Sequence, residues 1–351
     1  MTDTVNGKLI QLARESRGHT QKRLAELSSI SQGNISKFER GESQVSPKQV
    51  QALAQALDYP TPFFYQQPRL FGFGLSGVYH RKRKSIPALS LRKIQAEFNI
   101  RAMEVERLLA GAEIQSANEF HHLDIEDFDG DAEHIAELVC AQWKLPLGPV
   151  KSVIGAIESA GGIVFKYALG SKKLDAQSYW NTGLPPIFFV NKNIPPDRLR
   201  FTLAHEIGHI VMHRIPTPNI EDEANQFASA FLMPRDDIIS ELTPFSLQRA
   251  LSLKAKWKVS IAALIMRAFQ LGTITEFQKR RFFTYLSAAG YRTEEPVAIP
   301  DEQPTILRSL LDIYQKDMGY GIRDLCTMLC ANQNDFRARY LDSPLLRVRE
   351  F

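Results

Sequence analysis

Cysteine is scarce. The three in 351 residues, Cys140, Cys326 and Cys330, form no CxxC pair. They are too few for a disulfide framework, so the fold must rest on an apolar core, and a reducing compartment is expected. No apolar run reaches membrane-spanning length, which excludes a transmembrane helix. The opening MTDTVNGKLIQLARES lacks the basic-then-apolar pattern of a secretory leader, so a cytoplasmic protein without membrane association is expected. The glycines of FGFGLSG are followed by no GK[ST] and have no strand-loop-helix frame, which excludes a phosphate-binding loop. HHLDIEDFDGDAE lacks the oxygen spacing and closing glutamate of an EF-hand and reads as a solvated loop.

What is present is uneven. Net charge is only +4, yet residues 79–101 carry seven Lys/Arg against Glu97 alone, and residues 119–137 carry eight Asp/Glu and no Lys or Arg. These runs read as a solvated basic helix start and an acidic loop, as a phosphate-contacting patch, or as two surfaces that pair with each other. The chain is also too long for one ordinary core, so two or three domains are expected.

The first sixty residues alternate short helical runs with turns. GKLIQLARES has a helical rhythm that Gly18 breaks. Thr20 is placed to cap QKRLAELS, Ser31 to cap QGNISKFE, and Pro47 opens KQVQALAQAL. Two short helices around a tight turn follow the helix-turn-helix plan. Leu24, Ala25, Ile30, Ile35 and Phe38 fall inward, leaving Gln32, Gly33, Asn34, Ser36 and Lys37 outward. Gln and Asn can bond adenine edges, Lys can reach guanine or phosphate, and Gln21 is placed to touch a phosphate. TQKRLAELSSISQGNISKFERGES resembles the lambda-repressor-like XRE domain over about residues 5–65. By that resemblance Gln21, Gln32, Asn34, Ser36 and Lys37 are the DNA-facing set. The competing reading is a protein-interaction module on the same scaffold. With eight Lys/Arg against six Asp/Glu, one such domain binds DNA weakly, and a homodimer on an operator is expected.

HEIGHIVMH, residues 205–213, lies in PPDRLRFTLAHEIGHIVMHRI, which reads as one helix between Pro195-Pro196 and Pro216. His205 and His209 are four apart, so both leave one helix face and can share a metal. Glu206 sits beside the first histidine. A metal ion there lowers the pKa of water toward neutrality, and Glu206 can take the proton and hand it to a leaving amine. Gly208 within the helix points to a close neighbour. His213 continues the spacing, but three successive turns of a straight helix span about 12 Å. Zn–N bonds are near 2 Å, so one ion cannot hold all three histidines. His213 is therefore read as structural, or as facing the cleft to bind substrate.

HExxH alone is a modest signal, and a zinc hydrolase needs a third protein ligand. EDEANQFASAFLMP supplies a second helix with Ala224, Phe227, Ala228, Phe231 and Leu232 on its buried face. Glu221 and Glu223 are the candidates. Glu221 lies four residues before Asn225, so Glu221 could bind the metal while Asn225 steadies a ligand histidine. Glu223 points away from Asn225 and lacks that support. Glu221 is favoured, and Glu223 stays open.

RFTLAHEIGHIVMH with EDEANQFASAFLMP resembles the ImmA/IrrE family of zinc metallopeptidases. PPIFFVNKNIPPDRLRF before it, and KAKWKVSIAALIMRAFQLGTIT and GYRTEEP after it, also fit, for a span of about residues 131–296. The resemblance implies a gluzincin-type endopeptidase that cleaves a regulatory protein, such as a repressor or an antitoxin, in a stress response. It implies Zn²⁺ held by His205, His209 and Glu221, with Glu206 as general base. Fusion to an XRE domain is a pattern within that family. The alternatives are a transcription factor whose peptidase-like domain is a non-catalytic sensor of ligand or metal, or a sensor of single-stranded DNA or a small molecule whose protease is normally off.

The expected fold is mainly α with a small β-sheet in the peptidase part. Residues 1–66 form an all-α helix-turn-helix domain, 67–130 a basic linker and bridging helix, 131–296 the peptidase domain and 297–351 a helical C-terminal extension. Within the third segment, IVFKYAL and PPIFFVN read as strands. The extension reads as a helical cap on the peptidase. Cys140 is read as a buried cysteine rather than a redox switch at the metal, and Cys326 and Cys330 as core residues.

Overall fold

Side-chain caps set the starts of the first four helices. α1 (Gly7–Ser16) opens on Asn6, α2 (Gln21–Ser28) on Thr20, α3 (Gln32–Glu39) on Ser31, and α4 (Pro47–Leu57) on Ser46 with a capping box to Gln49. Each cap oxygen accepts a backbone N–H that the helix cannot satisfy itself. Ser29, in the left-handed region at φ 56°, makes the tight turn between α2 and α3. Leu9, Ile10, Leu24, Ile35, Phe38 and Leu53 are buried together. A Cβ on Gly7 would stand 2.0 Å from the Phe38 carbonyl oxygen, so only glycine lets α1 start this close to the end of α3.

The computed structural model describes residues 4–70, 86–171 and 173–341. The basic cluster at 81–84 lies outside them. The described residues fall into two units. The first joins α1–α4 to α5 (Ala88–Leu109) and to residues 305–341. Ala96, Ile100 and Met103 of α5, and Cys330 from the C-terminal segment, complete the core of the helix-turn-helix helices.

The expected cap on the peptidase is therefore corrected: residues 305–341 pack into the first unit. Tyr314 Oη donates to the Leu108 carbonyl at 2.9 Å, Arg107 donates to the Met328 carbonyl, and Arg339 pairs with buried Glu104, which also accepts from Tyr340 Oη at 2.7 Å. Arg17 and Asp335 form a two-armed ion pair at 3.0 and 2.7 Å. An amphipathic helix signals only that its apolar face will be covered, and α5 supplies the surface.

The second unit holds residues 115–171 and 173–304. α6 (Ala132–Gln142) and α7 (Val153–Ser159) precede a three-stranded sheet of β1 (Ile163–Tyr167), β2 (Ala176–Tyr179) and β3 (Ile187–Asn191) in the order β1-β3-β2. β1 runs parallel to β3, and β2 antiparallel, with Ser178 opposite Phe188. α8 (Pro196–Met212) and α9 (Ile220–Leu232) follow, then α10 (Leu247–Trp257), α11 (Ile261–Gln270) and α12 (Glu276–Ala288). Val164, Phe188, Leu203, Ile207, Phe227 and Phe231 belong to one core cluster beneath the sheet.

Buried ion pairs fix these helices. Lys254, 1% exposed, binds Asp197 at the start of α8 and Glu295 at 2.7 Å. Glu295, from the GYRTEEP stretch, also accepts the Ile261 N–H that opens α11. Arg267 donates to both oxygens of Glu133 and to the Met233 carbonyl. Among the described residues no helix is long and apolar enough to cross a membrane.

Candidate metal centre and nucleic-acid interface

α8 and α9 meet at a glycine. A Cβ on Gly208 would stand 3.1–3.2 Å from the Phe227 side chain, so the missing side chain lets the two helices close. The close approach foreseen at Gly208 is this contact. It carries the first turn of α9 to the histidine face of α8. His205, His209 and Glu221 then form a cluster whose candidate ligand atoms all lie within 4.8 Å of one another.

Hydrogen bonds hold both histidine rings of the cluster from behind. His205 Nδ1 lies 3.0 Å from Asn225 Oδ1. That oxygen can only accept, so Nδ1 carries the hydrogen and Nε2 a lone pair. His213 Nε2 donates to Glu223 Oε2 at 2.9 Å. Burial, and then the neighbouring His209, push the His213 imidazole below its ordinary value. His209 Nδ1 lies 3.1 Å from His213 Nδ1, so His209 is engaged on that side and turns its Nε2 toward the cluster. The two Nε2 atoms face each other at 2.9 Å. Ring nitrogens this close share either a hydrogen or a cation.

Glu221 completes the set, at 3.8 Å from His205 Nε2 and 3.6 Å from His209 Nε2. Tetrahedral zinc with bonds of about 2.0–2.2 Å spaces its donor atoms roughly 3.3–3.6 Å apart. The separations here are close to that spacing, and two imidazoles with one carboxylate are a donor set zinc accepts.

Glu206 has a partner on the sheet. It is 1% exposed and accepts a hydrogen bond from Ser178 Oγ on β2 at 2.5 Å. Glu223 holds His213 and also accepts from Thr217 Oγ1 at 2.7 Å, so of the two candidate glutamates it is Glu221 that stands beside the histidines. Asn225 takes the place foreseen for it. Ser178, Thr217 and the Glu223–His213 bond were not foreseen. Ser178 sits on a strand the sequence does not announce, and the other pair meets only when the chain folds back after α8. Cys140 packs against the core, with its sulfur 3.9 Å from the Phe231 carbonyl, and burial pushes its thiol up to about 12. It is half-buried at the edge of the core rather than fully buried as expected.

A cleft of about 520 Å³ runs between α9 and α11. Asn225 is in its wall, with Phe201, Asp222, Gln226, Ala263 and Met266. The residue that orients His205 is thus also part of this cleft's wall.

In the first unit, Gln32, Asn34 and Lys37 are exposed on α3, and nothing lies within 4 Å of where a Gly33 Cβ would be. Ser36 is half-buried and accepts from Arg40 at 2.5 Å. Gln21 donates to Glu39 Oε2 at 2.8 Å, and Glu39 is bound to Arg14 at 2.6 Å. Gln21 thus ties α2 to the buried pair joining α1 and α3, and three of the five expected residues project freely from one helix.

Residues 10–64 match the family described as helix-turn-helix, and residues 157–269 match a peptidase family described as the IrrE N-terminal-like domain. The chain is a helix-turn-helix domain fused to an IrrE-like domain. This is the fusion expected from the residues, in the mainly α fold with one small sheet. No curated protein matches the chain. The helix-turn-helix domain marks a DNA-binding regulator, and the IrrE-like domain a metallopeptidase-type fold. The His205–His209–Glu221 cluster falls inside the IrrE-like match.

Proposed function

We propose that this chain is a DNA-binding transcriptional regulator carrying a zinc-dependent endopeptidase of gluzincin type, which cleaves a regulatory protein such as a repressor or an antitoxin in a stress response. The observation that carries the reading is the pair of facing Nε2 atoms, 2.9 Å apart, with Glu221 beside them. His205, His209 and Glu221 would hold the ion. When bound, zinc supplies Lewis acidity toward a peptide carbonyl and water. Glu206 would take a proton at its carboxylate and return it to the leaving amine, with Ser178 fixing the carboxylate's orientation. The cleft beside Asn225 offers room for a substrate segment. Gln32, Asn34 and Lys37 would read an operator, with Ser36 and Gln21 in supporting contacts and a homodimer in the cytoplasm supplying the affinity that one mildly basic domain lacks.

Metal analysis of the purified chain tests the first step. About one zinc per chain is expected, lost in His205→Ala and Glu221→Ala. Glu206→Gln should keep the metal and trap uncleaved substrate from cell extract. A wild-type chain without zinc, or normal cleavage by Glu206→Gln, would overturn the assignment. Zinc binding with no cleavage of any captured protein would leave the sensor reading in its place.

A further inference from the structure

Behind His209, on the side away from the facing Nε2 atoms, runs a line of hydrogen bonds that the proposed chemistry does not use. Glu223 Oε2 accepts from His213 Nε2 at 2.9 Å and from Thr217 Oγ1 at 2.7 Å. His213 Nδ1 meets His209 Nδ1 at 3.1 Å. The His213 side chain is fully enclosed, and that of Glu223 is 15% exposed. His213 is the residue at which α8 ends: its backbone is extended, while its N–H still bonds the His209 carbonyl at 3.1 Å. The ring therefore has one fixed anchor in the backbone and one in Glu223.

We infer that Glu223 is a positioning residue for the metal centre: through His213 it fixes the ring of His209 and leaves Nε2 as the atom offered to the ion. The inference rests on the zinc reading above. Its physical basis is directional. An imidazole can turn about its Cβ–Cγ bond, and either nitrogen can carry the hydrogen. A carboxylate acceptor two groups away restricts that freedom: Glu223 holds His213 by Nε2, which keeps His213 Nδ1 3.1 Å from His209 Nδ1 and leaves His209 Nε2 on the side of His205 and Glu221. Thr217 occupies the same Glu223 oxygen and restrains the carboxylate in turn. α9 thus delivers two glutamates with separate tasks, Glu221 beside the histidine nitrogens and Glu223 behind them. His205 has its own equivalent in Asn225. Both candidate histidine ligands are held from the rear by residues of α9.

The test is zinc affinity of the full chain, measured by competition with a chromophoric chelator, together with the absorption spectrum of the cobalt-substituted chain and the melting temperature of the metal-free chain. Removing a group that orients a metal-bound histidine typically weakens metal binding about 10–100-fold. Glu223→Ala is expected to fall in that range and to shift the cobalt bands. Glu223→Gln keeps an acceptor in place and should recover part of the loss. Metal-free melting should fall in Glu223→Ala, where the enclosed His213 Nε2 loses its acceptor, but by less than the loss of zinc binding. Wild-type zinc affinity in both variants overturns this inference and leaves the zinc reading intact. So does a loss of affinity matched by an equal loss of metal-free stability, which would make Glu223 merely structural. A wild-type chain that binds no zinc overturns the zinc reading, and this inference with it.

Discussion

Asn225 and His205, twenty residues apart on two helices, are joined by a 3.0 Å hydrogen bond from His205 Nδ1 to Asn225 Oδ1. The bond holds the ring with Nε2 toward His209 and Glu221. Asn225→Ala should therefore weaken zinc binding by about tenfold or more in chelator competition. Asn225→Asp keeps the acceptor and adds charge, so it should bind zinc at least as tightly as wild type. An equal loss in both variants would show that the oxygen does not act as an orienting acceptor.

Ser178 bonds the buried Glu206 and lies outside the His205–His209–Glu221 cluster. Ser178→Ala leaves a carboxylate oxygen without its donor, a cost of about 1–3 kcal/mol. Zinc stoichiometry should be unchanged and the melting temperature lower. Cleavage should fall roughly tenfold, less than the 10²–10⁴-fold expected for removing the base itself. A variant that cleaves normally would separate Ser178 from catalysis.

Gly208 touches the Phe227 side chain with no room for a methyl group. Gly208→Val should cost roughly 1–3 kcal/mol by overpacking. It should also part α8 from α9, so zinc affinity should fall together with stability. Wild-type affinity in a folded Gly208→Val chain would mean that this contact does not set the cluster's geometry.

How much of this was legible depends on whether the cause was local. Thr20 and Ser31 cap the helices they were expected to cap, because a cap reads its own next three residues. His205, His209 and Asn225 were legible because helical spacing fixes which residues share a face. β2 was not. Ala176-Gln177-Ser178 has weak strand preference, and its pairing with β3 supplies what the sequence lacks. The bond from His213 to Glu223 was not legible for a related reason: the angle of Glu223 on α9 takes it away from Asn225, but nothing local shows that the chain returns to bring His213 there. The C-terminal helices were legible as helices and not by partner, since the apolar face covered by α5 carries no address of its own.

The cleft beside Asn225 gives a test that leaves the metal alone. Ala263 lines it and is no part of the cluster. Ala263→Phe should narrow the cleft, keep one zinc per chain, and reduce cleavage of a trapped substrate several-fold, chiefly by raising KM. Unchanged KM and kcat would mean that the substrate lies elsewhere.

Asp335 tests where the C-terminal segment belongs. Its carboxylate meets both terminal nitrogens of Arg17 at 3.0 and 2.7 Å, and the Arg17 guanidinium lies 4.5 Å from the centre of the Tyr59 ring. Burial pushes the Asp335 carboxyl up, but the Arg17 hydrogen bonds and the charges of Arg339 and Arg17 outweigh it and hold the group below the ordinary aspartate value. A depressed carboxyl stabilises the fold above its unfolded pKa, and that contribution is lost as pH falls through the folded one. Asp335→Asn should thus cost the first unit roughly 1.5–3 kcal/mol at neutral pH, the scale of hydrogen bonds to a charged group. The gap from wild type should close as the pH is taken below the ordinary aspartate range. Denaturant unfolding followed at neutral and acid pH measures both. A gap that is absent at neutral pH, or that widens in acid, would show that the Arg17–Asp335 pair does not hold this segment to the helix-turn-helix core.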